Sequence, residues 1–314
     1  MKNIKATVIG AIAALGLGAG AATAEDFPNR PITMIIPLGA GGSHDLNARV
    51  ITSVLPGILG QPVVVQLMPG AGGQTGTAAA AQAQPDGYTL LFTHNFIDQL
   101  QQHVTNLPYD PNEDFEAVAR VNTAQPILVV REDSPFETFE DLVAYGQENP
   151  GDLTFGHSGN WGAFMVPGLA LLNEVGVDAN LVPYQGGGPV IQALLAGDLD
   201  FTFAFPSVLA GQPLRPLLVV GEEEILDGIP TTAQLGYEVV TDIGVMHRSV
   251  LAPAGVPEDR MQILRDAFAG LNDDGTYNAL MGRLGENTLH VDGPEYDAMR
   301  RNQAQRYQEL VASF

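Results

Sequence analysis

Three glycine-rich loops carry the strongest chemical signal in this sequence. Gly39-Ala40-Gly41-Gly42 and Gly70-Ala71-Gly72-Gly73 repeat one tetrapeptide, and Gly186-Gly187-Gly188 stands in a comparable place. Each follows a predicted strand and precedes a predicted helix. Backbone at a helix N-terminus offers unpaired N–H groups and the positive end of the macrodipole. Glycine lets a ligand approach that backbone closely, so such loops seat an anion without lysine or arginine. In an open parallel sheet they lie at the carboxyl ends of strands, where ligands bind, and the three are expected to converge on one anion. The blander alternative is that each cluster is only a tight strand-to-helix turn. Nucleotide binding fits poorly, because no G-x-x-x-x-G-K-[ST] motif occurs.

Other reactive residue types form no recognisable catalytic pattern. Ser43-His44-Asp45 holds the residue types of a triad, but consecutive side chains on a helix do not face one another, and a nucleophile needs its base within hydrogen-bond reach. The six histidines lack H-x-H or H-E-x-x-H spacing, so no metal is expected. There is no cysteine nucleophile and no G-x-S-x-G elbow. His94 and Asn95 follow the third predicted strand, which places them at the cleft as ligand donors or, equally, at a helix cap. No catalytic residue and no cofactor is assigned.

The elements that must position these loops alternate strand and helix almost throughout, which argues an α/β chain with largely parallel pairing. Strands are expected at 32–36, 62–65, 88–92, 153–155, 181–184, 199–205, 214–220 and 245–252. The stretch 118–130 is strand material broken by Pro126. The helix from Ser43 places Leu46, Val50, Val54 and Ile58 on one face at i+4 spacing. Thr138-Phe139-Glu140-Asp141 resembles a capping box. The remainder, from Glu258, reads as helices.

The first 24 residues read as a signal peptide: Lys2 and Lys5, an apolar run from Ala6 to Ala19, and the cleavage signal Ala22-Thr23-Ala24. An uncleaved anchor is the alternative, but the run is short for a span of about 20 residues. An exported, periplasmic protein without direct membrane insertion follows. The chain carries −22, and −24 once Lys2 and Lys5, its only lysines, are gone. That surface repels nucleic acid and anionic lipid. It fits a salty medium, where screening shortens the reach of self-repulsion. It also repels a carboxylate at long range, so local N–H groups must do the holding.

Read in order, several segments are similar to the substrate-binding proteins of tripartite tricarboxylate transporters, the Bug or TctC family. They are Pro37-Leu38-Gly39-Ala40-Gly41-Gly42-Ser43-His44-Asp45, Gly60 to Val65, Pro69 to Gly73, Pro85-Asp86-Gly87-Tyr88-Thr89-Leu90-Leu91, Val182 to Pro189, and Ala252 to Pro257. The resemblance implies a type II periplasmic-binding-protein fold: two α/β lobes joined by crossover strands, with the ligand cleft between them. One ligand carboxylate would be held by loop N–H groups and ordered water. Carried across, Leu38, Gly39, Ala40, Gly42 and Ser43 hold that carboxylate, and Asp45 orients bound water. Ser158, Gly159 and Asn160 face it from the other lobe, and Gln185 and Gly186 form another cleft segment. Departures from the family pattern, Phe164, Trp161 on the cleft loop and Phe205 after its strand, make the distal pocket more apolar. Arg248, on the returning strand, either pairs with a second carboxylate or answers the acidic shell at the surface.

The reading that results is a monomeric extracytoplasmic solute-binding protein. Lobe 1 comprises 25–125 and 248–314, and lobe 2 comprises 126–247. It closes like a hinge on a small organic carboxylate, either a C4–C6 dicarboxylate or an aromatic or aliphatic carboxylate. It then delivers the ligand to the membrane permease subunits of the transporter. A ligand-presenting sensor for a membrane receptor and an exported hydrolase are the alternatives.

Overall fold

The computed structural model describes residues 27–312; the signal peptide expected at 1–24 lies outside the described residues. Short apolar runs broken by glycine or proline make strands, and the segments between them make helices. The chain opens with β1 (Ile32–Ile36), α1 (Ser43–Leu59), β2 (Val63–Leu67), α2 (Gln74–Ala81), β3 (Thr89–His94) and β4 (Phe115–Ala124). It crosses at Gln125-Pro126 into β5 (Ile127–Arg131), α3 (Phe139–Glu148), β6 (Leu153–His157), α4 (Met165–Glu174) and β7 (Ala179–Pro183). There follow α5 (Gly187–Ala196), β8 (Phe201–Ala204), α6 (Pro206–Leu209), β9 (Leu214–Val219) and α7 (Glu238–Gly244). The return is made by β10 (Met246–Pro253), then α8 (Glu258–Asp273), α9 (Gly275–Arg283), β11 (Val291–Asp292) and α10 (Gly293–Val311).

Two mixed sheets result, one per lobe. The first has the order β11-β4-β10-β3-β1-β2, and the second β7-β6-β8-β5-β9. In the first, β2, β1 and β3 run parallel while β10 lies antiparallel to both its neighbours. In the second, β7, β6 and β8 run parallel and β5 runs against β8 and β9. Parallel strands covered on both faces read as unbroken apolar runs. Accordingly β3 and β8 are buried almost throughout, whereas the edge strand β2 alternates.

Each lobe has its own core. Under the first sheet, Ile51, Leu55 and Leu59 of α1 meet Leu264, Phe268 and Leu271 of α8, each contributing roughly 1.5–3 kcal/mol by leaving water. The buried stripe of α1 is Ala48, Ile51, Leu55 and Leu59, not the expected Leu46, Val50, Val54 and Ile58. The helix is covered by α8 and α9 as well as by β2, which turns its inward face one residue further round. Val50 and Val54 pack at the flank, and Ile58 is exposed. The second lobe's core joins Phe155, Phe201 and Phe203 to α3, α4 and α7. The end of α10 joins it too, through Tyr307 and Leu310, although α10 begins against β4. The capping box forms as expected: Thr138 Oγ1 accepts from Asp141 N at 3.1 Å, and Asp141 Oδ2 accepts from Thr138 N at 2.9 Å.

Candidate functional site

The carboxyl ends of β1, β3, β6, β7 and β8 open onto the space between the lobes, where the glycine loops lie. The loop after β1 turns through Gly41 at φ 76° and delivers the chain to the N-terminus of α1, capped by Gly42 with no side-chain bond. Asp45 fixes the loop: its Oδ2 accepts from Gly41 N at 2.9 Å, and Arg49 pairs with its Oδ1 at 3.0 Å. Facing it from the second lobe, Gly186 at φ 109° caps α5, again without a side-chain bond. The two loops touch backbone to backbone. A Cβ on Gly39 would stand 2.7 Å from Gln185 O, one on Gly42 3.3 Å from Gly188 N, and one on Gly188 2.5 Å from Ala40 O. Glycine is therefore required at these positions by close approach across the cleft.

Behind this contact is a narrow hollow of about 20 Å³, space for little more than one water. Gly39, Gly42, Ser43, Ser158 and Gly187 give it polar lining, and Phe164, Ile191, Phe205, Val208 and Met246 give it apolar lining; the two kinds adjoin where a Cβ on Gly187 would stand 3.4 Å from the Phe164 ring. His44 and His94 line it as well, with ring centroids 5.0 Å apart. His44 Nε2 lies 3.3 Å from Thr93 O, which assigns it the proton. His94 Nδ1 is buried with no protein partner. Burial, then the Arg248 charge, holds His94 down to about 3. Burial, then His94 and Arg248, holds His44 well below the usual imidazole range. Both rings are neutral near pH 7.

Sequence comparison decides the family. The profile of the tripartite tricarboxylate transporter family receptor, TctC, matches residues 47–314. The chain belongs to this receptor family. It is 33% identical over 303 residues to a UPF0065 protein of Cupriavidus necator, covering 93% of this chain and 90% of that protein. In fold it is similar to the periplasmic binding protein BugD, with a TM-score of 0.85 at 27% identity over 91% of this chain and 98% of that one. It is also similar to MatC from Rhodopseudomonas palustris with bound malate, with a TM-score of 0.83 at 25% identity over 91% of this chain and 100% of that one.

In this receptor the predicted site residues divide. Leu38, Gly39, Gly42, Ser43, His94, Ser158 and Phe205 line the hollow together. Ala40 and Gly186 shape the loop contact beside it. Asp45 stands behind the loop, engaged by Gly41 and Arg49. The third glycine loop does not join the other two: Gly72 approaches Asn160, and with Gly159, Asn160, Trp161 and Gln185 it lines a neighbouring hollow. Trp161 holds φ at 55° there, a left-handed conformation unusual for a large residue. Asn95 leaves the cleft altogether. It donates to Val245 O at 3.1 Å and accepts from His247 N at 2.9 Å, clasping the start of β10.

Arg248 takes neither role open to it in the sequence. It is fully buried, and its Nη atoms bond Glu286 at 2.7 and 3.2 Å and Asn122 at 3.1 Å. Its guanidinium carbon lies 5.1 Å from the centroid of the Phe205 ring. The sequence reading missed Glu286, and it missed His44 and Ile191 as lining residues; Phe164, which departs from the family pattern, is read there as making the distal pocket more apolar. Gly187 sits inside a motif already singled out. Nothing in the sequence ties Glu286 to Arg248, which lies 38 residues away on a different element.

Proposed function

We propose that this receptor captures a small organic carboxylate between its lobes in the periplasm and presents it to the permease subunits of a tripartite transporter. The observation that carries the reading is the meeting of the α1 and α5 N-termini, one from each lobe, at the edge of one hollow. Two positive helix ends in backbone contact repel. An anion between them replaces that repulsion with attraction from both sides. The carboxylate thereby makes contacts in the closed state that an open cleft cannot offer, which is the condition for ligand-driven hinge closure. The moving bodies are taken as 25–125 with 248–314, and 126–247.

We assign the carboxylate to the N–H groups of Gly39, Gly42 and Ser43 in the first loop and of Gly187 in the second, with Ser158 facing them. Malate in the related MatC is a carboxylate of the expected kind. A binding role, not a catalytic one, is supported by Ser43-His44-Asp45: His44 turns to Thr93 O, and Asp45 to Gly41 and Arg49, so no relay joins the three.

A thermal-shift panel of mono-, di-, tri- and aromatic carboxylates tests the proposal. A ligand at 100 times its Kd adds roughly 2.7 kcal/mol, which for a chain of this size raises Tm by about 5 °C. A panel in which no carboxylate moves Tm refutes it.

A further inference from the structure

We infer that the hollow selects a monocarboxylate with an apolar body and rejects the dicarboxylate of the same length. The inference rests on the carboxylate reading above and adds the ligand's second end. The polar lining of the hollow consists of backbone amides, the hydroxyls of Ser43 and Ser158 and two imidazoles, enough for one carboxylate. Phe164, Ile191, Phe205 and Val208, which also line it, present only carbon.

The guanidinium of Arg248, which lies close to those walls, is already committed. Arg248 is held by Glu286 through two bonds, with both side chains almost wholly buried. Ser207 Oγ donates to the same carboxylate, and Tyr277 packs nearby as a neutral phenol whose ionisation burial opposes. Phe205, whose ring touches the guanidinium, faces the hollow in its place. His44 and His94 are neutral, so they offer hydrogen bonds but no counter-charge. A second ionised carboxylate brought here would lose its water and find no cation free to pair with it. A methyl or phenyl end would meet a matching surface once the lobes part to admit it.

Calorimetry at pH 7.5 with three matched pairs tests this: butyrate against succinate, hexanoate against adipate, and 4-methylbenzoate against terephthalate. Within a pair, length is fixed and only the far end changes. In the pair that fits the hollow best, the monoacid is expected to bind at least a hundredfold tighter. A diacid that binds as tightly as its monoacid, or tighter, overturns the inference and leaves the carboxylate reading standing. Binding by none of the six overturns it too, and the carboxylate reading falls with it only when the wider panel also fails. In Glu286→Gln, which frees the guanidinium, the best-fitting diacid is expected to gain at least tenfold while its monoacid changes less than twofold. An unchanged diacid affinity in a folded variant overturns the role given to the Arg248–Glu286 pair.

Discussion

Gly188→Ala separates closure from folding. Gly188 lies in the first turn of α5 with ordinary helical backbone, so alanine suits its own helix and stabilises it by roughly 0.5–1 kcal/mol. The obstacle lies across the cleft. The new Cβ would stand 2.5 Å from Ala40 O, 3.1 Å from Gly41 C and 3.1 Å from Gly42 N. Carbon needs roughly 3.5 Å, so the lobes must stay apart by about 1 Å at the point where both helix ends address the ligand. Overpacking of this kind costs about 1–3 kcal/mol, and it falls only on the closed state. At a factor of ten for each 1.4 kcal/mol, ligand affinity should drop by about 5- to 150-fold while the Tm of the free protein holds or rises slightly. Gly282→Ala is the control, since its Cβ in α9 meets nothing within 4 Å; it should share the helix gain and leave affinity alone. Calorimetry and thermal unfolding of both variants decide the matter. Unchanged affinity in Gly188→Ala would refute the argument, as would a fall of several degrees in the free protein.

Two further expectations concern buried charge. Arg300 is wholly buried and bonds both carboxylate oxygens of Asp98, besides Asp297 and Pro111 O. Asp98→Asn should cost about 3 kcal/mol in urea unfolding, because a buried guanidinium loses its main counter-charge; a loss under about 1 kcal/mol would contradict this. The depressed histidines make stability depend on pH in one direction. His94 is held down to about 3 and His247, by burial and then the Arg120 charge, to about 4, while the unfolded chain titrates near 6.5. Below about 6.5 the unfolded state therefore takes up protons that the folded state refuses, and stability present above that pH is lost as pH falls toward the folded values. At pH 5 a single such group costs about 2 kcal/mol at most. His94→Gln should lose correspondingly less stability than wild type between pH 7 and 5, and parallel losses would exclude the buried imidazole as the cause.

How much was legible in the sequence follows from how local each signal is. The strand β1, the start of α1 at Ser43 and the Thr138 capping box depend on residues within a turn of one another, and all three form where the sequence places them. The helix α7 and the helical turns over 96–103 were missed. The residues of 96–103 are almost all buried, so tertiary packing, not a one-sided apolar stripe, holds them. The site shows the same division. That glycine loops precede helices could be read; that the loop at Gly70 to Gly73 meets Asn160 instead of the loop at Gly186 could not, because each lies at the end of a different strand in a different sheet. Arg248 is the sharpest case. Its position on the returning strand was foreseeable, but its meaning turns on Glu286, which follows α9 and reaches back beneath the first sheet.

The acidity of the chain and the affinity for an anion proposed for it act over different distances, which is why they can coexist. Surface carboxylates act through solvent, where interactions fade beyond about 8 Å at physiological ionic strength. The amides at a helix N-terminus act within its first turn. Arg248 and Arg300, both buried, are each matched by a carboxylate, and the Arg248 charge is felt in the hollow at His44 and His94, where, after burial, it helps keep both rings neutral. What remains for an incoming anion is the pair of helix ends, and they are complete only when α1 and α5 come together. A basic side chain would attract a carboxylate to an open cleft as well as to a closed one. Backbone amides shared between two lobes cannot, so in the proposed function binding strength is tied to closure itself.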